Sequence, residues 1–274
     1  MGGIKCAVCP HGCVLEKGQT GLCRARVNEG GVVKPKNYGY ITAMGLDPIE
    51  KKPLYRFHPK SLILSVGSFG CNLRCPFCQN HDIACADKPS GGVMFMPPEA
   101  LLTQALECTR SIGVAFTYNE PLVGYEYVRD CAKLLKRNGL IVVLVTNGFV
   151  NEGPLLELLP YVDAMNIDLK GFTESFYGFV GGSLSPVLRT IELCAKKCHV
   201  EVTTLIVPDK NDGADEMRGL SSWLAKTDKS IPLHISRFFP RHKMADIKAT
   251  PVDTVYKLAA IAREKLSFVY EGNC

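Results

Sequence analysis

Nowhere does this chain run apolar for the roughly 20 residues that a membrane-spanning helix needs. Its longest such stretch, LIVVLV at 140–145, is the length of one buried strand. The opening MGGIKCAVCPHGC has no apolar core of the kind a secretory signal carries. Blocks of like charge are missing too, and the net charge of +5 is interspersed along the chain. These absences argue against a membrane or nucleic-acid partner and point to a soluble cytoplasmic protein. The cytoplasm is reducing, so the 13 cysteines are expected to be metal ligands and buried thiols rather than disulfides.

What is present is a repeating beat. With 274 residues, 46% of them hydrophobic, the chain can bury one or two proper cores. Short runs rich in β-branched residues at 61–66, 113–118, 140–145, 162–169, 199–207, 232–238 and 268–272 are apolar on both faces, as parallel strands covered on both sides should be. Helical patterns separate them. Leu101, Ala105, Cys108 and Ile112 share one face, as do Val255, Leu258, Ala259, Ala262 and Leu266. Strand and helix alternate about six times, which predicts an α/β protein built as an incomplete (β/α)6 TIM-like barrel over residues 61–274. Residues 1–60 break the beat and predict a small cysteine-rich module that a metal would hold together.

Cysteines concentrate in two places. Cys71, Cys75 and Cys78, spaced C-x3-C-x2-C, follow the first strand of the repeat, at the end where parallel sheets bind ligands. Three thiolates around a four-iron cluster leave one iron open, the mark of a catalytic metal. The competing reading is a zinc site completed by His81 or Cys85. In the module, Cys6, Cys9, Cys13 and Cys23 lie within 18 residues among glycines and make a complete ligand set, for zinc or for a second iron–sulfur cluster. Elsewhere, Asp168 and Lys170 alternate with apolar neighbours and share a strand face, as a functional pair or as a structural ion pair. His234 sits inside a strand, where a satisfied core histidine is the ordinary reading.

CPHGC with its following glycines and Cys23, then LDPIEKKPLYRF, GSFGCNLRCPFCQN, TYNEP, NIDLKG and HISRFFP, together resemble one family from Cys6 to the C-terminus. It is the AmmeMemoRadiSam-system radical SAM enzyme, a relative of pyruvate formate-lyase activating enzyme. The resemblance implies a [4Fe-4S] cluster on Cys71, Cys75 and Cys78 and S-adenosylmethionine on its open iron. Reduction would release methionine and a 5′-deoxyadenosyl radical for hydrogen abstraction, either from a glycine Cα–H of a glycyl-radical enzyme or from a small molecule or another protein. It also implies that Asn119 and Glu120, Thr146 and Asn147, Asp168 and Lys170, and His234 contact the cofactor. Two departures are visible: Asn119 and Glu120 replace the commoner glycine-rich segment, and Thr203 stands where the activating enzymes carry a basic residue. Implied partners are a reductant such as flavodoxin or ferredoxin, and a glycyl-radical enzyme or Memo-like and AMMECR-like proteins. The reading from a different class is a non-catalytic iron–sulfur electron carrier or a zinc-stabilised interaction protein.

Overall fold

A computed structural model describes residues 2–85 and 92–274. One eight-stranded sheet dominates it. The strands are β1 (Ala43–Pro48), β2 (Leu62–Gly67), β3 (Ser111–Phe116), β4 (Ile141–Thr146), β5 (Ala164–Asp168), β6 (His199–Ile206), β7 (Leu233–Arg237) and β8 (Val269–Gly272). Spatial order follows chain order, and every pair from β2 to β8 is parallel. Among the described residues no pairing joins the two edges, so this is an open barrel with seven parallel strands. β1 departs from the expected plan. It lies in the stretch assigned to the N-terminal module, yet it pairs antiparallel with β2 over six residue pairs.

The crossovers are helical: α1 (Pro98–Glu107), α2 (Tyr125–Arg137), α3 (Glu152–Leu158), α4 (Glu174–Val180) with α5 (Leu184–Cys194), α6 (Ala214–Asp228) and α7 (Val252–Arg263). Each is set by its sequence. Pro98 opens α1, and the Thr173 side chain caps α4 by accepting from the Phe176 amide at 3.1 Å. In α2, Val128, Cys131, Ala132 and Leu135 form the buried stripe, with Lys136 and Arg137 at the negative end of the helix dipole. The face predicted through Cys108 and Ile112 is cut short. Cys108 caps α1 and Ile112 belongs to β3, because a turn through Thr109 and Arg110 hands the chain to strand pairing.

The segment after β1 closes the N-terminal mouth of the barrel. Ile49 and Leu54 pack in a fully buried cluster with Ile63, Ala115, Val143 and Ala164. Above that apolar floor lies Glu201, whose carboxylate accepts from the Tyr55 and Arg56 amides and from the rings of His199 (3.0 Å) and His234 (2.6 Å). The opposite, C-terminal mouth is left for chemistry.

Candidate active site

A chamber of about 310 Å³ opens at the C-terminal ends of the strands. Cys71, Cys75 and Cys78 line it, together with Asn119, Glu120, Thr146, Asn147, Asp168 and Lys170. Nine of the ten residues picked from sequence for the catalytic cavity therefore converge there. His234 does not: it is turned toward Glu201 in the barrel floor and is absent from the chamber lining.

The cysteine loop is held by residues that follow β3. Asn119 accepts from the Ser68 amide at 2.9 Å and donates to the Phe69 and Gly70 carbonyls at 3.1 and 3.0 Å. Its amide is thus occupied in shaping the loop. Tyr118, just before it, adopts a positive φ of 71°, a conformation that costs an ordinary side chain on the order of 1 kcal/mol or more. Its hydroxyl donates to Asp47 at 2.8 Å, and the buried Lys52 pairs with the same carboxylate at 2.8 Å. Asp47 and Lys52 come from the LDPIEKKP motif, which anchors the strained turn.

Glu120 ties the rim together. Its carboxylate accepts from the Thr146 hydroxyl (2.7 Å), the Asn147 amide (2.7 Å) and the Leu122 amide (3.0 Å). Burial nonetheless raises its pKa from the ordinary 4.5 to about 7, outweighing those three donors. The folded chain then binds this proton more tightly than the unfolded one. The associated stability is full below about pH 4.5 and is lost as pH rises through about 7. Chemical denaturation of metal-free protein should show a decline on the order of 3 kcal/mol across that window, missing from Glu120→Gln. A wild-type slope that survives in the variant would contradict this assignment.

Lys170 Nζ lies 2.7 Å from Asp168 Oδ2. Burial disfavours the ammonium, but the Asp168 carboxylate beside it overcomes that penalty, so Lys170 stays charged. Burial pushes the Cys75 thiol up to about 12 and raises Cys71 and Cys78 as well. Thiols so desolvated ionise only against strong positive charge, which a bound metal centre supplies and Lys170 assists. Cys71 Sγ also lies 3.6 Å from Asn147 Nδ2 and 3.4 Å from the Leu73 amide, two donors suited to a ligating sulfur.

The donor set fits a cluster with an open corner. Among the described residues lining the chamber there is no fourth cysteine and no histidine. Cys85 borders an adjoining cleft of about 130 Å³ that Cys71 and Cys75 also line, and His81 stacks on His242 at 4.3 Å. No three Cys, His, Asp or Glu among the described residues are placed to hold a single metal ion. Thr203 faces the chamber as a neutral group, exchanging hydrogen bonds with Asn166 at 2.9 and 3.0 Å.

Residues that sequence reasoning passed over are Glu201, Asn72, Tyr118 and the Asp47–Lys52 pair. Glu201 carried a signal, being the one carboxylate in β6 and flanked on both sides by valine.

Residues 65–223 match the Radical SAM superfamily. A Methanocaldococcus jannaschii relative, Uncharacterized protein MJ0808, is 37% identical over 273 residues, spanning 98% of this chain and 81% of that protein. Pyruvate formate-lyase 1-activating enzyme of Escherichia coli K12 is 25% identical over 205 residues, 72% of this chain and 80% of the enzyme. Among solved structures, Streptococcus suis SuiB bound to S-adenosylmethionine superposes with a TM-score of 0.57 at 12% identity, over 74% of this chain and 48% of SuiB. That last likeness concerns the fold alone.

Proposed function

This chain belongs to the radical SAM superfamily, and we propose that it cleaves S-adenosylmethionine reductively to abstract a hydrogen atom. The observation that carries this reading is the chamber itself, where three thiols, with no fourth cysteine or histidine among the described lining residues, face an acid–base pair and a ring of rim donors. When bound, a reduced four-iron cluster supplies the electron that splits the sulfonium into methionine and a 5′-deoxyadenosyl radical. The protein's residues do the rest. Cys71, Cys75 and Cys78 would hold the cluster. Thr146, Asn147, Asp168 and Lys170 would bind and orient the methionine end of the cofactor, while Asn119 and Glu120 fix the loop and rim on which that binding depends. The buried walls of β4 and β5 exclude water from the radical.

The reaction is of the activating-enzyme type, with a glycine Cα–H of a protein partner as hydrogen donor. Homology to the glycyl-radical enzyme activating enzymes supports this. A low-potential one-electron donor of the flavodoxin or ferredoxin class would reduce the cluster, and association with Memo-like and AMMECR-like proteins belongs to the same reading. The N-terminal cysteines form a second metal site, zinc or iron–sulfur.

The test is anaerobic reconstitution with iron and sulfide, followed by dithionite and S-adenosylmethionine. Formation of 5′-deoxyadenosine is expected, and a reduced cluster that leaves the cofactor intact would overturn the proposal in favour of an electron carrier. Asp168→Ala and Lys170→Ala should each weaken cofactor binding by about 10- to 100-fold at unchanged iron content. Titration of binding with iron analysis checks this; loss of iron would assign the pair to loop support instead.

A further inference from the structure

Outside the catalytic chamber, the most unusual chemistry lies in the N-terminal module. Cys6, Cys9, Cys13 and Cys23 all border one small enclosed cavity, and three of the four are buried. Two loops bring them there. Cys6 and Cys13 are joined by an amide-to-carbonyl bond of 2.8 Å, and Gly12, at a φ of 53°, turns the chain between them. Cys23 arrives on a second turn, closed by the Arg24 amide donating to the Gly21 carbonyl at 2.9 Å.

Arg26 borders the same cavity and is only 4% exposed. Its terminal nitrogens are engaged, one with Glu126 at 2.6 Å and the other with the Val33 carbonyl at 3.2 Å. Its Nε has no hydrogen-bond partner among the described residues. An orphaned guanidinium N–H costs on the order of 1–3 kcal/mol, more because it is charged. A group with negatively charged sulfur in the cavity would satisfy it. No three of the four thiols are placed to hold a single metal ion.

The module is fastened to the catalytic loop. Cys71 donates its amide to the Cys23 carbonyl at 3.2 Å, and His11 Nε2 meets the Asn72 carbonyl at 2.7 Å. The Asn72 side chain is buried between the two cysteine sets. It donates to the Phe149 carbonyl at 2.6 Å and accepts from Asn147 Nδ2 at 2.9 Å. That same Asn147 nitrogen reaches Cys71 Sγ. Gly70 marks how closely the loops approach, since a Cβ there would sit 2.7 Å from the Cys23 carbonyl oxygen.

We propose that Cys6, Cys9, Cys13 and Cys23 hold a second, fully cysteine-ligated iron–sulfur cluster, with the Arg26 Nε–H donating to its sulfur, placed close enough to the catalytic cluster for the two to interact magnetically. Its existence stands apart from the proposed reaction; the magnetic interaction rests on the reading of Cys71, Cys75 and Cys78 as a cluster site. Four thiolates leave no open iron, so this centre binds no substrate.

The experiment reconstitutes three full-length chains with ferrous iron and sulfide under anaerobic conditions: wild type, Cys71→Ala/Cys75→Ala/Cys78→Ala, and Cys6→Ala/Cys9→Ala. Iron, sulfide and zinc are then counted and spectra recorded after reduction. Wild type should hold about eight irons, and the triple variant about four with a cluster spectrum of its own. Zinc in the triple variant, or no iron at all, overturns the proposal. The two variants separate this failure from that of the catalytic reading, because iron missing only from Cys6→Ala/Cys9→Ala would indict the trio. The reduced wild-type spectrum should be broader than the sum of the two variant spectra; a simple sum contradicts the placement. Pulsed paramagnetic resonance on the triple variant grown with ¹⁵N-arginine tests Arg26 without substituting it. Coupling to a guanidinium nitrogen is expected, and its absence removes Arg26 from the site.

Discussion

Cys75→Ala is expected to abolish the catalytic cluster and to lower 5′-deoxyadenosine formation by at least about 1000-fold. Three ligands are the minimum for a centre that keeps one corner open, so no spare thiol among the lining residues takes over. Cys85 is not among the chamber's lining residues, although it borders an adjoining cleft with Cys71 and Cys75. Loss should be confined to this centre, with protein folding and the N-terminal site unchanged. Anaerobic turnover with iron analysis checks it. A variant that retains both iron and turnover would mean that Cys75 is not a ligand.

The largest effect on stability should come from Glu201→Ala, at about 3–5 kcal/mol. This carboxylate is fully buried and accepts from two backbone amides of the 55–56 segment and from two histidine rings. Removing it orphans all four donors and releases the plug that closes the barrel floor. Although burial alone would raise it, the histidines and the Arg56 amide hold the Glu201 pKa near 2. The folded value is below the unfolded one, so the stabilisation is full above about pH 4.5 and is lost as pH falls toward 2. Denaturant midpoints between pH 7 and pH 3 measure this. A cost under about 1 kcal/mol, or an unchanged acid slope in the variant, would contradict the assignment.

Much of the fold could be read from periodicity because parallel strands covered on both sides are apolar throughout. LIVVLV became β4 within a residue at each end. β1 was invisible for the opposite reason: AMGLDP alternates between exposed and half-buried positions at a sheet edge, and its partner is set by tertiary contact. The chamber residues were legible because each stands at or just beyond a strand's C-terminal end, where the backbone order alone gathers them. His234 shows the limit of that logic. It lies within β7, one layer below the rim, and its direction depends on Glu201, a neighbour 33 residues away. Arg26 gave no local signal either, since its role depends on contacts with Val33 and Glu126.

One iron of the catalytic cluster should carry no protein ligand. Electron–nuclear double resonance on reduced, oxygen-protected protein, with S-adenosylmethionine labelled by ¹⁵N at its amino group and ¹⁷O at its carboxylate, addresses it most directly. Both labels should couple strongly to the cluster, and the coupling should vanish in Cys71→Ala/Cys75→Ala/Cys78→Ala. A cluster that ignores both labels, or zinc bound by the three thiolates, would contradict the account.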